Sequence, residues 1–283
     1  MTLQAQALLK KYGQHAKKSW GQNFLVEERV FSAIVRACGL SPRQSVIEIG
    51  AGLGTLTARL AEAAGKVIAI ERDRDMVEIL RNELGSDARI EIVEANALTF
   101  DYVAAAKAQA VPPVVVGNLP YQIASPLLFR LLEARAHLSA IVVMLQREMV
   151  DRILAPPGNK TYGALSVMVR VVGEPRLVTR VAAGSFVPPP RVESAVLKIV
   201  PFEKGKTRVP IDDFEHFHQL VRASFSQRRK TLRNALSVIA EKRTLQAAFA
   251  ETKIDPGRRG ETLSVEEFAE LSNAIGRSDA RAA

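Results

Sequence analysis

The stretch Ser45-Val46-Ile47-Glu48-Ile49-Gly50-Ala51-Gly52-Leu53-Gly54 constrains this chain more than any other. Its β-branched half reads as a buried strand. Glycines at 50, 52 and 54 then let the backbone turn sharply and approach a ligand closely. An amphipathic pattern over 54–64 follows, so the segment predicts strand, tight loop and helix. The spacing is G-x-G-x-G, not the G-x-G-x-x-G of a dinucleotide fold. The next candidate strand ends in Glu71, seventeen residues after Gly54. In doubly wound sheets an acidic side chain there can accept hydrogen bonds from both ribose hydroxyls of a nucleoside. The alternative is a solvated strand end beside Arg72 and Arg74.

The same alternation extends along the chain. Strand candidates fall at 45–50, 66–71, 89–94, 113–118, 139–146, 176–182 and 194–201. Helical patterns occupy 27–39, 54–64, 73–84, 124–135 and 147–154. Val/Ile-rich strands alternating with helices predict a mostly parallel α/β sheet. At 201–213 Pro, Gly and charge cluster without periodicity, which reads as a linker. Beyond it only helical spacing remains. The expected organisation is a first domain over 1–200 with a basic lead-in, a linker over 201–213, a small helical domain over 214–275 and a frayed tail over 276–283.

Composition narrows the partners. Lys+Arg outnumber Asp+Glu by 39 to 30, a net charge of +9 that points to a polyanion, most often nucleic acid. No apolar run approaches the ~18–20 residues of a membrane helix, and the first residues lack the pattern of a secretory signal. One cysteine, Cys38, excludes an internal disulfide and a Cys-cluster zinc site, and it is expected in the core. The cytoplasm is the expected compartment. His216 and His218, two apart in a helical pattern, do not share a face, so no metal site is expected.

The fourth strand candidate runs into Asn118-Leu119-Pro120-Tyr121. Pro120 biases Leu119 toward an extended backbone, so the Leu119 carbonyl can face a crevice as an acceptor. The Asn118 side-chain oxygen is a second acceptor, and two convergent acceptors suit an exocyclic amine. Tyr121 offers a face for base stacking; the alternative is a turn with Tyr121 as packing. After the third strand, Asn96 can bond an adenine edge or simply cap a turn. Trp20 either touches RNA or packs the lead-in over the domain.

These motifs resemble a known family. G-x-G-x-G with acidic strand ends resembles the class I S-adenosylmethionine-dependent methyltransferases, which implies a Rossmann-like, mostly parallel seven-stranded sheet. Asn-Leu-Pro-Tyr resembles their amino-methylating signature. Gly21-Gln22-Asn23-Phe24-Leu25, Met144-Leu145-Gln146-Arg147-Glu148, Tyr162-Gly163, Phe186-Val187-Pro188-Pro189-Pro190-Arg191-Val192-Glu193-Ser194 and Phe225-Ser226-Gln227-Arg228-Arg229-Lys230-Thr231 narrow the match. Over about 14–272 the chain resembles the ribosomal RNA adenine N6-dimethyltransferases, best the bacterial small-subunit (16S) branch linked to kasugamycin sensitivity.

The resemblance implies S-adenosylmethionine contacts from Asn23, Leu25, Gly50, Gly52, Gly54, Glu71, Asn96 and Asn118. It implies a catalytic set of Asn118, Leu119, Pro120 and Tyr121, with Phe186 on the other side of the base. Asn96 stands where the family usually has Asp, and Ala51 where Pro is common. The implied substrate is two adjacent adenines in the 3′-terminal hairpin of 16S rRNA, dimethylated within a precursor 30S particle during ribosome biogenesis, by a monomer. Arg222, Arg228, Arg229, Lys230 and Arg233, with Lys17 and Lys18 of the lead-in, are the candidate RNA contacts; a solvated basic face is the alternative. A large-subunit adenine methylase typically has Ile where Leu119 stands. A non-catalytic assembly factor has no need of an intact glycine loop with Asn118 and Tyr121. A small-molecule methyltransferase fits neither the charge nor the helical domain.

Overall fold

The computed structural model describes residues 5–17, 20–227 and 229–282. The chain divides into two compact units, one of Met1–Val150 and Arg176–Gly205, the other of Asp151–Pro175 and Lys206–Ala283.

The elements up to the sixth sheet strand are α1 (Ala5–Lys11), β1 (Phe24–Leu25), α2 (Glu28–Cys38), β2 (Ser45–Ile49), α3 (Thr55–Ala63), β3 (Lys66–Glu71), α4 (Arg74–Leu84), β4 (Ile90–Glu94), α5 (Tyr102–Lys107), β5 (Val114–Asn118), α6 (Ala124–Glu133) and β6 (Ala140–Gln146). There follow α7 (Arg147–Leu154), α8 (Ala164–Val172), β7 (Gly173–Val181), β8 (Phe186–Val187) and β9 (Ser194–Pro201). The chain ends with α9 (Phe214–Ser226), α10 (Leu232–Leu236), α11 (Lys242–Thr252) and α12 (Val265–Ala282).

Seven strands form one sheet in the order β4-β3-β2-β5-β6-β9-β7. The first five are parallel, and β9 runs antiparallel to β6. Strand β2 is buried along its whole length because both sheet faces are covered. One face packs Val46, Val67, Val114, Val142 and Met144 against Val30, Phe31 and Ile34 of α2 and Leu56 and Leu60 of α3. Cys38 lies buried in the same cluster, and burial pushes its thiol up to about 12. On α4, Met76 and Ile79 pack with Ala5 and Leu8 of α1 and with Leu53. The pair β1–β8 is separate, with Leu25 opposite Phe186. Chain order reverses between β2 and β5, which is where an open parallel sheet leaves a crevice.

The second unit packs α8 against α9, and α12 against α9 and α11. Phe217 and Phe268 are fully buried, and Tyr162, Phe225 and Phe268 stack at centroid distances of 5.9 and 5.8 Å. This unit takes in 151–175, which a boundary at 201–213 leaves with the sheet. In α8, Ser166, Val167, Met168, Val169, Val171 and Val172 are buried, and so short a Val-rich run does not distinguish helix from strand by sequence. The end of the chain also differs from the frayed tail expected over 276–283. Helix α12 continues to Ala282, and Arg277 bonds Glu251 at 2.7 Å.

Candidate active site

A cavity at the β2/β5 switch point is walled by the carboxyl ends of β2 to β5 and by the lead-in around Trp20 to Leu25. Gly50, Gly52 and Gly54 all adopt positive φ, a conformation that side-chain-bearing residues rarely hold. Gly50 and Gly52 face the cavity. Gly54 does not: it caps α3, and a Cβ there would meet Leu84 at 2.6 Å and Leu80 at 2.9 Å. Its positive φ is what calls for glycine there.

Glu71 closes β3 at the cavity floor. One carboxylate oxygen accepts from the amides of Arg72 (2.7 Å) and Asp73 (2.9 Å), the other from Gly52 N–H at 2.9 Å. The side chain therefore fastens the glycine loop to the β3 turn, and Oε2, with one bond, keeps a lone pair free to accept. Burial raises its pKa, opposed by those three amide bonds. Next to it Glu48 is only 2% exposed and lines the same cavity; its Oε2 has no partner. Burial pushes it up to about 8, and the Glu71 charge adds to the shift. Glu48 is thus a neutral acid at pH 7.

Asn96 is exposed at the cavity rim, and its Oδ1 accepts from Leu98 N–H at 3.1 Å. The side chain caps a turn and also lines the cavity. Its NH2 and the second lone pair of Oδ1 are left for a ligand.

Asn118, Leu119, Pro120 and Tyr121 form the opposite wall. Asn118 Nδ2 donates to the Asn23 carbonyl at 3.1 Å, which fixes the amide and leaves Oδ1 as the free acceptor. Leu119 N–H bonds the Met144 carbonyl at 3.2 Å, and the Leu119 side chain is buried. Tyr121 is half-buried with its hydroxyl 2.7 Å from Ser194 Oγ. Gly117 lets this wall sit close to β2, since a Cβ there would meet the Ile49 carbonyl at 2.6 Å.

Phe186 is not on the wall. It is buried in the sheet core beside Leu25, because the β1–β8 pairing turns its ring inward. The structure also places Lys17 away from the role of a free RNA cation. Its ammonium sits 2.6 Å from both Asp73 Oδ1 and Asp75 Oδ2, and Gln22 Nε2 donates to Asp73 at 2.7 Å. Trp20 packs under the Arg72 guanidinium, 4.4 Å from its ring centroid. The lead-in is thus strapped to the loop after β3, and Trp20 contacts Arg72 there while its ring stays partly exposed, at 37%. Glu48, Trp20, Gln22 and Arg72 are cavity residues that motif reading did not select. Glu48 stood in plain view as an acid within an apolar strand.

In the second unit Arg222, Arg229, Lys230 and Arg233 are exposed, and none pairs with a carboxylate among the described residues. They do not lie on one helix: α9 ends at Ser226 and α10 begins at Leu232. Lys18 and Arg228 lie outside the described residues. His216 Nδ1 is 3.0 Å from Ser272 Oγ. Among the described residues no helix is long and apolar enough to cross a membrane.

A family model described as ribosomal RNA adenine dimethylase matches residues 13–276. The chain belongs to that family. Relatives named ribosomal RNA small subunit methyltransferase A include one from Anaeromyxobacter dehalogenans, 47% identical over 95% of this chain and 97% of its own length. Another, from Myxococcus xanthus, is 44% identical over 95% and 94%. Among solved structures, a dimethyladenosine transferase from Plasmodium falciparum superposes with a TM-score of 0.74 at 26% identity, covering 90% of this chain and 98% of that one. The 23S rRNA methyltransferase ErmE gives 0.68 at 25% identity, covering 90% and 100%. The fold is that of the class I methyltransferases, as the family expectation required. The dimethylase family therefore supplies the frame in which the cavity is read.

Proposed function

We propose that this chain transfers methyl groups from S-adenosylmethionine to the N6 atoms of two adjacent adenines in the 3′-terminal hairpin of 16S rRNA. The product is N6,N6-dimethyladenosine, made in the cytoplasm by a monomer acting on a precursor 30S particle during small-subunit biogenesis. Membership of the dimethylase family supports the reaction type, and the small-subunit names of the relatives support the substrate. The observation that carries the reading is the Asn118 amide on the cavity wall, its Nδ2 held by the Asn23 carbonyl so that Oδ1 is left to accept, with Tyr121 lining the same cavity.

The residues present fit the cofactor. Glu71 Oε2 offers an open acceptor site to a ribose hydroxyl, Asn96 a polar edge to an adenine, and Gly50 and Gly52 positions with no side chain. When bound, S-adenosylmethionine supplies an electrophilic methyl group on a sulfonium, so the protein need supply only position and electrostatics. An adenine amine is a poor nucleophile because its lone pair is delocalised into the ring. Asn118 Oδ1 and the Leu119 carbonyl accept the two N6–H bonds, favour a pyramidal nitrogen and aim its lone pair. Tyr121 stacks the base that has left its helix. The new C–N bond gives an acidic ammonium whose proton passes to water, so no general base is needed. Arg222, Arg229, Lys230 and Arg233 are assigned to RNA phosphates. The test is methylation of purified small and large ribosomal subunits with labelled cofactor. Label in small-subunit RNA is the expected result; label confined to large-subunit RNA contradicts it.

A further inference from the structure

Ser194 has no part in the reaction as described, yet its hydroxyl lies within hydrogen-bond distance of the Tyr121 hydroxyl, at 2.7 Å. It is fully buried and begins β9. Its register partner is Gln146, the last residue of β6. One residue earlier, Glu193 is fixed twice by Arg147: its carbonyl accepts from Arg147 N–H at 3.0 Å and its carboxylate from Nη1 at 2.6 Å. The anchor therefore belongs to the sheet framework and not to a free loop.

Tyr121 itself sits in the turn after β5, half-buried on the cavity wall. An aromatic ring in that situation has several staggered χ1 wells open to it. A bond at the para oxygen fixes both ends of the side chain and so selects one χ1 well, which sets where the ring lies. Asn118 is held in the same way from another element, by the Asn23 carbonyl. The tetrapeptide is thus tethered at its first residue by the lead-in and at its last by β9.

We propose that Ser194 is a positioning residue that holds the Tyr121 ring in its place on the cavity wall for the target base. The inference rests on the reading above that Tyr121 stacks that base. The effect is largest in the second round, when the amine already carries a methyl group and a mis-set ring leaves less room for a productive pose. Ser194→Ala and Tyr121→Phe each remove the same bond while keeping the ring.

The test measures kcat, KM for 30S particles, cofactor Kd, melting temperature and the ratio of dimethyl- to monomethyladenosine. The set is wild type, Ser194→Ala, Tyr121→Phe, the double variant and Tyr121→Ala. Each single variant is expected to lower kcat roughly 3- to 10-fold, the range for one net hydrogen bond, and to raise the monomethyl fraction. KM, cofactor Kd and melting temperature are expected to stay near wild type. The double variant is expected to match the singles, because all lose one shared interaction. Wild-type kcat and product ratio in both single variants, or additive losses in the double, overturn the proposal while leaving base stacking in place if Tyr121→Ala is severely impaired. Wild-type turnover in Tyr121→Ala overturns the stacking reading itself. If Ser194→Ala fails to fold, Tyr121→Phe alone decides, through the same kcat and product ratio.

Discussion

Replacing Glu48 with Gln tests the electrostatics of the cavity floor directly. Glu48 is buried, its Oε2 has no partner among the described residues, and it feels the Glu71 charge; burial pushes it from near 4.5 up to about 8. In the unfolded chain it ionises near its ordinary value. Unfolding therefore releases a proton wherever the pH lies between those two values. Stability from this group is fully present below about 4.5 and is lost as pH rises toward about 8. Between pH 5 and 7 the loss is about 2–3 kcal/mol at 1.36 kcal/mol per unit. Glutamine keeps the shape and cannot ionise, so the variant escapes the loss. Glu71, also raised by burial, is present in both proteins and cancels in the difference. The assay is urea unfolding at a series of pH values, followed by the fluorescence of Trp20, the single tryptophan, which lies in the first unit. The stability of Glu48→Gln relative to wild type should improve by about 2–3 kcal/mol from pH 5 to pH 7. A difference that stays flat across that interval means Glu48 is ionised in the folded protein, and the reasoning fails.

Other substitutions probe the remaining groups. Glu71→Ala should weaken S-adenosylmethionine binding by at least ~1.5–3 kcal/mol, the range for hydrogen bonds to a charged group, since it also frees the Gly52 amide; unchanged affinity by calorimetry removes the ribose assignment. Asn96→Asp should leave cofactor affinity equal or tighter, because one oxygen can keep the Leu98 bond while the other adds a charged acceptor; clear weakening shows that the NH2 donor is the group used. Changing Arg229, Lys230 and Arg233 to Ala should flatten the salt dependence of particle binding, by ~0.7–0.9 log units of slope for each RNA phosphate that the variant no longer neutralises. Cofactor affinity should be unaffected, and an unchanged slope removes these residues from the RNA surface.

Most of the sheet was legible before any coordinates. The glycine loop, the acidic end of β3 and the Asn-Leu-Pro-Tyr segment lie at carboxyl ends of strands because parallel strands carry their variable chemistry there. Their spacing along the chain therefore maps onto one crevice. What escaped sequence reading was set by long-range contact. Helix α8 is a short Val-rich run whose sequence does not distinguish helix from strand. The two-residue strands β1 and β8 are too short to signal themselves, and only their pairing shows that Phe186 turns inward. Lys17 has the composition of an RNA contact, but Asp73 and Asp75, more than fifty residues away, hold its charge. Ser194 likewise meets Tyr121 across a separation of 73 residues. Gly54 matched the motif by spacing, but it faces the leucine pair of α4 and not the cavity, and its positive φ is what calls for glycine.

The central claim is that the fixed Asn118 amide directs an adenine amine in small-subunit RNA. Its most direct test is mass spectrometry of nucleosides from unmethylated 30S particles incubated with labelled S-adenosylmethionine and either wild type or Asn118→Ala. The account predicts N6,N6-dimethyladenosine at two adjacent positions with wild type. For Asn118→Ala it predicts turnover reduced far more than particle affinity. Methylation on another base or another atom, or wild-type turnover in Asn118→Ala, would contradict it.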